Sequence, residues 1–115
     1  MNNLNIKLVL CSFPDIGLAR QIGTDIVRKQ LAACVNLIPK IESIYEWNGK
    51  ILSKNEILSI FKTKSELIEK LEAEISISHP YEIPEFITLG LEGGSSRYLD
   101  CLLYTSDAAD EGLGV

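Results

Sequence analysis

The dipeptide Asn48-Gly49 stands between two long arms in which apolar and polar residues alternate. A two-residue type I′ turn needs positive φ at both central positions, which Asn and Gly reach at least cost, so the pair predicts a β-hairpin. The first arm carries Ile41, Ser43, Tyr45 and Trp47 in alternation with Glu42, Ile44 and Glu46. The second returns through Ile51, Ile57, Leu58, Ile60 and Phe61. Each arm spans about 13 residues, near 45 Å at ~3.3 Å per residue, whereas strands typically hold about 5–6 residues. A small domain is only ~30 Å across. The arms therefore bend, or they project past the rest of the chain. Pro39 cannot donate to a ladder and marks a bulge, a bend or an edge. A projecting hairpin leaves bare edges and apolar faces, and a second copy of the chain is their simplest cover.

The elements around the hairpin follow from period and punctuation. Residues 5–11 read as a short apolar strand. Ser12 or Asp15 offers a cap and Pro14 suits a first turn, before Leu18, Ala19, Ile22, Ile26 and Val27 recur at helical spacing to about Gln30. Thr63 and Glu66 have the spacing of a capping box ahead of Leu67, Ile68, Leu71 and Ile75, which predicts a second helix. It ends before His79-Pro80, because the residue before proline avoids the α region. Pro80 and Pro84 bracket a rigid loop. Residues 86–91 alternate as a last strand, Gly93-Gly94 breaks it, and Ser95 caps a short helix carrying Tyr98, Leu99 and Leu102. The order β-α-β-β-α-β predicts an α+β, ferredoxin-like domain: an antiparallel sheet with two helices on one face, a long central hairpin and a short C-terminal helix.

Length and charge narrow the function. A chain of 115 residues supports one domain. Its net charge is −5 and its Lys and Arg residues are scattered, which speaks against a nucleic-acid partner. No run approaches the ~20 apolar residues that cross a bilayer, and the opening MNNLNIKLVLCSF does not read as a secretory leader. Cys11, Cys34 and Cys101 are odd in number and widely spaced, which argues against a disulfide scaffold or a zinc ribbon. The expectation is a reduced, cytoplasmic protein without a membrane partner.

Chemistry-bearing residues are few. His79 is the one histidine, and Cys11 ends the first strand. Together they would make a soft donor pair if their side chains converged. Read separately, Cys11 is buried filler and His79 is a hydrogen-bonder that fixes its loop. Cys34 lies in an apolar stretch and reads as packing. Glu82 and Glu85 flank Pro84 in a loop, where carboxylates are usually solvated. No G-x-G-x-x-G, phosphate-binding loop, G-x-S-x-G or H-E-x-x-H is present, so the chain reads as no enzyme.

The residues assembled so far form a set. It comprises residues 10–15, the segment LAACVN at 31–36 with Pro39, residues 43–47 with Gly49, Lys62-Thr63, the segment HPYEIPE at 79–85, and Tyr98-Leu99. Together, over about residues 4–102, they closely resemble the CutA family of divalent-cation tolerance proteins. The resemblance implies a ferredoxin-like subunit of a tight homotrimer, related in architecture to PII signalling proteins, cytoplasmic and linked to tolerance of copper and other divalent metals. It places the copper-ligand positions at Cys11 and His79. Where some members carry a second histidine this chain has Ser78, so copper is expected to bind weakly. The alternative it implies is a PII-like sensor that takes a small anion or metabolite in an interface cleft lined by Lys62, Tyr81 and Glu85. Residues 1–102 form the family-like domain. Residues 103–115 have no counterpart in the family, hold three acids and no base, and are expected to be mobile.

Overall fold

In the computed structural model, which describes residues 5–108, Asn48 and Gly49 take φ values of 53° and 78°. Both are in the left-handed region, as a type I′ turn requires. They join β2 (Cys34–Trp47) to β3 (Lys50–Lys64), with Trp47 opposite Lys50. Ile38 faces Leu58 and Ile41 faces Glu56, so β2 holds one extra residue at Pro39-Lys40. Lys40 absorbs this bulge at a φ of 63°.

The remaining strands are β1 (Ile6–Phe13) and β4 (Ile87–Gly90), and the sheet order is β2-β3-β1-β4, antiparallel throughout. This is the expected ferredoxin-like arrangement. Helix α1 (Ile16–Arg28) starts at Asp15, whose carboxylate accepts the Leu18 N–H at 2.8 Å. Pro14 thus lies just outside the first turn. Helix α2 (Ile68–Ser78) follows a single 3₁₀ turn at Ser65–Leu67. The expected capping box does not form. β3 runs on through Thr63, whose buried hydroxyl donates to the Leu31 carbonyl at 2.7 Å instead. Both helices cover one sheet face, burying Val9, Cys11, Phe13 and Phe61 against Ala19, Ile22, Ile26, Leu71 and Ile75. Gly23 permits the close approach of α1 to β2, because a Cβ there would stand 3.1 Å from a Val35 methyl.

The opposite face is different. Leu10, Ile38, Leu58, Ile60, Ile87 and Leu89 alternate with the core residues, so they point away from α1 and α2. Helix α3 (Ser96–Ala108) caps one end of the sheet through Leu99 and Leu102, which pack on Ile6 and Ala33. It is longer than the short helix expected, and Leu103 also packs on that cluster. The expectation for the tail beyond Ala108 falls outside the described residues. Ile38, Ile87 and Leu89 remain exposed.

The hairpin projects. β1 ends at Phe13, opposite Ile57, so β3 from Lys50 to Glu56 has β2 as its sheet partner and, among the described residues, no strand on its second edge. Here Ile44, Trp47 and Ile51 are 67%, 62% and 71% exposed. No described atom lies within 4 Å of a Cβ built on Gly49, so Gly49→Ala should cost conformational energy alone, about 1 kcal/mol. Thermal denaturation should show a lower midpoint with an unchanged circular-dichroism spectrum.

Candidate functional site

The site is built where β1 stops. Cys11 faces Ser59 across the β1–β3 ladder, and the Ser59 hydroxyl donates to the Cys11 carbonyl at 2.6 Å. The Cys11 side chain points into the core and is fully buried. Its Sγ lies 3.8 Å from the Ser12 carbonyl oxygen. His79 arrives from the other direction, as the residue that ends α2. Its backbone N–H closes the helix on the Ile75 carbonyl at 2.8 Å. The residue is 7% exposed, and its Nε2 reaches the same Ser12 carbonyl at 2.7 Å. The Tyr81 N–H reaches Nδ1 at 3.1 Å. A carbonyl oxygen accepts and an amide N–H donates, so these two partners assign the Nε2–H tautomer. The ring stacks on Phe13, centroids 4.8 Å apart and planes 22° apart, and meets Tyr81 at the same separation but tilted by 50°.

Tyr81 extends the cluster to the hairpin. Its hydroxyl donates to Glu56 Oε2 at 2.7 Å and accepts from Lys54 Nζ at 2.8 Å. The Ser43 hydroxyl donates to Glu56 Oε1 at 2.7 Å, and Lys54 Nζ stands 3.6 Å from Oε2. Glu56 is 5% exposed, and burial alone pushes its carboxyl up. The Ser43 and Tyr81 hydrogen bonds and the Lys54 charge outweigh burial and hold it below the ordinary carboxylate range. The Cys11 thiol goes the other way: burial, followed by the nearby charges of Glu85 and Glu56, pushes it up to about 12.

Of the residues expected from sequence, Cys11 and His79 converge. Sγ and Nε2 share one acceptor, so they stand closer than the sum of their distances to it. Tyr81 adjoins them, and Glu85 lies exposed in the same loop. Lys62 is elsewhere. It sits six residues along β3 from Glu56, where its ammonium donates to the Tyr98 hydroxyl at 2.8 Å and lies 5.1 Å from that ring's centroid. One copy of the chain therefore does not bring Lys62 to Tyr81 and Glu85. Sequence reasoning missed Glu56, Lys54, Ser43 and Ser59. Glu56 left one visible signal, an acid immediately before the apolar run at 57–61.

A copper or other metal centre needs ligand lone pairs, and three or more ligands in most sites. Here the thiol is held protonated by burial, and both imidazole nitrogens are engaged. Among the described residues, no three His, Cys, Asp or Glu side chains gather around a common point that could hold a metal. As arranged, the residues do not fit a resident metal.

Iodoacetamide at pH 8 should leave Cys11 unmodified in the native protein and label it fully in denaturant, as read by peptide mass spectrometry. The Glu56 carboxyl titrates lower folded than unfolded. Its stabilisation is therefore complete above the unfolded pKa of ~4.3 and is lost as pH falls through the folded value. Urea denaturation from pH 7 down to pH 3 should show a smaller loss of stability in Glu56→Gln than in the wild type.

Comparison with known proteins places this geometry in a family. A model of the CutA1 divalent ion tolerance protein matches residues 7–103. "Divalent-cation tolerance protein CutA" of Thermus thermophilus is 38% identical over 96 residues, covering 84% of this chain and 93% of that one. "Protein CutA, chloroplastic" of Arabidopsis thaliana is 42% identical over 95 residues, 83% of this chain, which spans about half (52%) of that relative's length. The crystal structure of CutA1 from Oryza sativa superposes with a TM-score of 0.86 at 34% identity, over 93% of this chain and 97% of that one. The family model runs from the second residue of β1 through the other three strands, both core helices and the His79 loop, and on that ground the chain belongs to the CutA1 divalent ion tolerance family.

Proposed function

We propose that this chain serves divalent-cation tolerance as a homotrimer and catalyses no reaction. One observation carries the assembly: the sheet face made by Leu10, Ile38, Leu58, Ile60, Ile87 and Leu89 is turned away from α1 and α2, α3 packs on that face at its Ile6 end, and Ile38, Ile87 and Leu89 stay exposed. Apolar surface is stabilised by roughly 25 cal/mol per Å² when removed from water, and monomers rarely leave such a patch bare. The hairpin adds the connection. The outer edge of β2 and the bare edge of β3 over Lys50 to Glu56 are different surfaces. Contact between unlike surfaces is head-to-tail and makes a ring when the rotation between copies closes. Three copies is the number that the family resemblance implies.

Divalent cations are the partners that the relatives' names suggest, and copper is the one that the family resemblance implies. Cys11 and His79, where the resemblance puts copper, are both already engaged, so no resident copper is expected at this pair and the tolerance role does not rest on it. Cys11 and Cys34 are unbridged thiols, which suits a reducing compartment such as the cytoplasm. The second reading that the resemblance implies is the PII-like sensor. Lys62 on one part of the sheet and Tyr81 with Glu85 on another would line a common cleft only where two copies meet.

Light scattering at micromolar concentration should return three times the chain mass, and Ile60→Lys on the open sheet face should lower it. A wild-type monomer would overturn the assembly. In cells lacking their own family member, expression of the chain should restore growth under a Cu²⁺ challenge. Failure to restore it, with the trimer intact, would overturn the tolerance reading and leave the sensor.

A further inference from the structure

We infer that His79 and Tyr81 form a clasp, with Cys11 packed beneath it, that fixes the loop at 79–85 to the end of β1 and to the projecting hairpin, and that this is their role in place of metal coordination.

The clasp has two ends. At one, the His79 Nε2–H holds the last carbonyl region of β1 at Ser12 O, 2.7 Å away. At the other, the Tyr81 hydroxyl sits between Glu56 and Lys54 on β3, at 2.7 and 2.8 Å. The two ends are joined inside the loop by the Tyr81 N–H to His79 Nδ1 bond at 3.1 Å. Ser43 on β2 completes the far end through Glu56. A line of hydrogen bonds thus runs from β2, through Glu56 and Tyr81, across His79, to β1. It bridges the step at Phe13 where β1 stops and the hairpin loses its second sheet neighbour. Stacking on Phe13 keeps the imidazole in the plane these bonds need.

Metal binding would dismantle this device. Nε2 could accept a metal only after losing its proton, and Nδ1 would then have to carry one while facing the Tyr81 N–H. Two donors cannot share that position, so the 79–81 turn would have to open. Cys11 Sγ would have to ionise inside the core. Cys11 instead acts by shape, filling the space under Ser12 beside Phe13.

The single histidine makes the test direct. Two-bond ¹H–¹⁵N correlation spectra should show the Nε2–H tautomer, unchanged after one equivalent of Cu(I) under reducing conditions. Cu(I) titrations of the wild type and Cys11→Ser should superimpose. A shift of the His79 nitrogens at one equivalent, or copper binding lost in Cys11→Ser, would overturn the inference. Tyr81→Phe keeps the ring and removes the anchor. Hydrogen exchange of the amides of residues 81–83 should then accelerate about tenfold, the scale of one lost hydrogen bond. His79→Ala should do the same, and His79→Gln, which returns an N–H donor, should restore part of the protection. Unchanged exchange in Tyr81→Phe would equally overturn the clasp. The trimer's mass would be unaffected by either result, so failure here is separable from failure of the proposed assembly.

Discussion

The fold is governed by a mismatch of strand lengths. β1 has 8 residues, β2 has 14 and β3 has 15, so β1 can pair with little more than half of β3. Where β1 runs, side chains alternate between a helix-covered core and a second apolar face. Where it stops, the hairpin continues on its own two strands, and an isolated two-stranded ribbon is marginal in water. The exposed Ile44, Trp47 and Ile51, the bulge at Pro39-Lys40 and the polar cluster around Glu56 all belong to that unsupported half or its root. The residues at the step, Ser12, Phe13 and Ile57, consequently meet groups from three directions.

The polar chemistry at the step is closed rather than open. Each charged or ionisable group is engaged: Glu56 by two hydroxyls and an ammonium, Tyr81 by both Glu56 and Lys54, His79 through both nitrogens. Such a network specifies one arrangement of the loop, because losing any member leaves a buried partner unsatisfied. That is why the convergence of a thiol and an imidazole, the pattern that invites a metal in a sequence, is here compatible with a purely positional role. Proximity of donor atoms and availability of their lone pairs are separate conditions, and the structure meets the first.

Much of the fold was legible in the sequence because its signals are local. Asn48-Gly49 determines its own backbone, Asp15 caps the helix that starts beside it, and Pro39 marks its own bulge. Thr63 misled for the complementary reason. The capping-box spacing is real, but a carbonyl in the α1–β2 connection, 32 residues away, claimed the hydroxyl. Of the site, Cys11, His79 and Tyr81 could be picked out as residue types, and the resemblance ranked them. What they bond to could not be read. The decisive partner of Cys11 and His79 is a main-chain carbonyl, which no side-chain pattern reveals, and Glu56 reaches Tyr81 across 25 residues of chain.

The hairpin also sets an order of events. β2 and β3 are adjacent in sequence and joined by a two-residue turn, so their contacts have low sequence separation and form within microseconds for a typical hairpin. The β1–β3 and β1–β4 ladders close far longer loops, and association with other copies is bimolecular and slower still. The tip with Trp47 and Ile51 is therefore shaped before anything can cover it. Dilution should retard the last phase of refolding alone, and during that phase the chain is most open to adhesion between unfinished molecules. Lys50 and Lys54 beside the bare edge of β3 place charge where such adhesion would start, a common guard on unpaired strands.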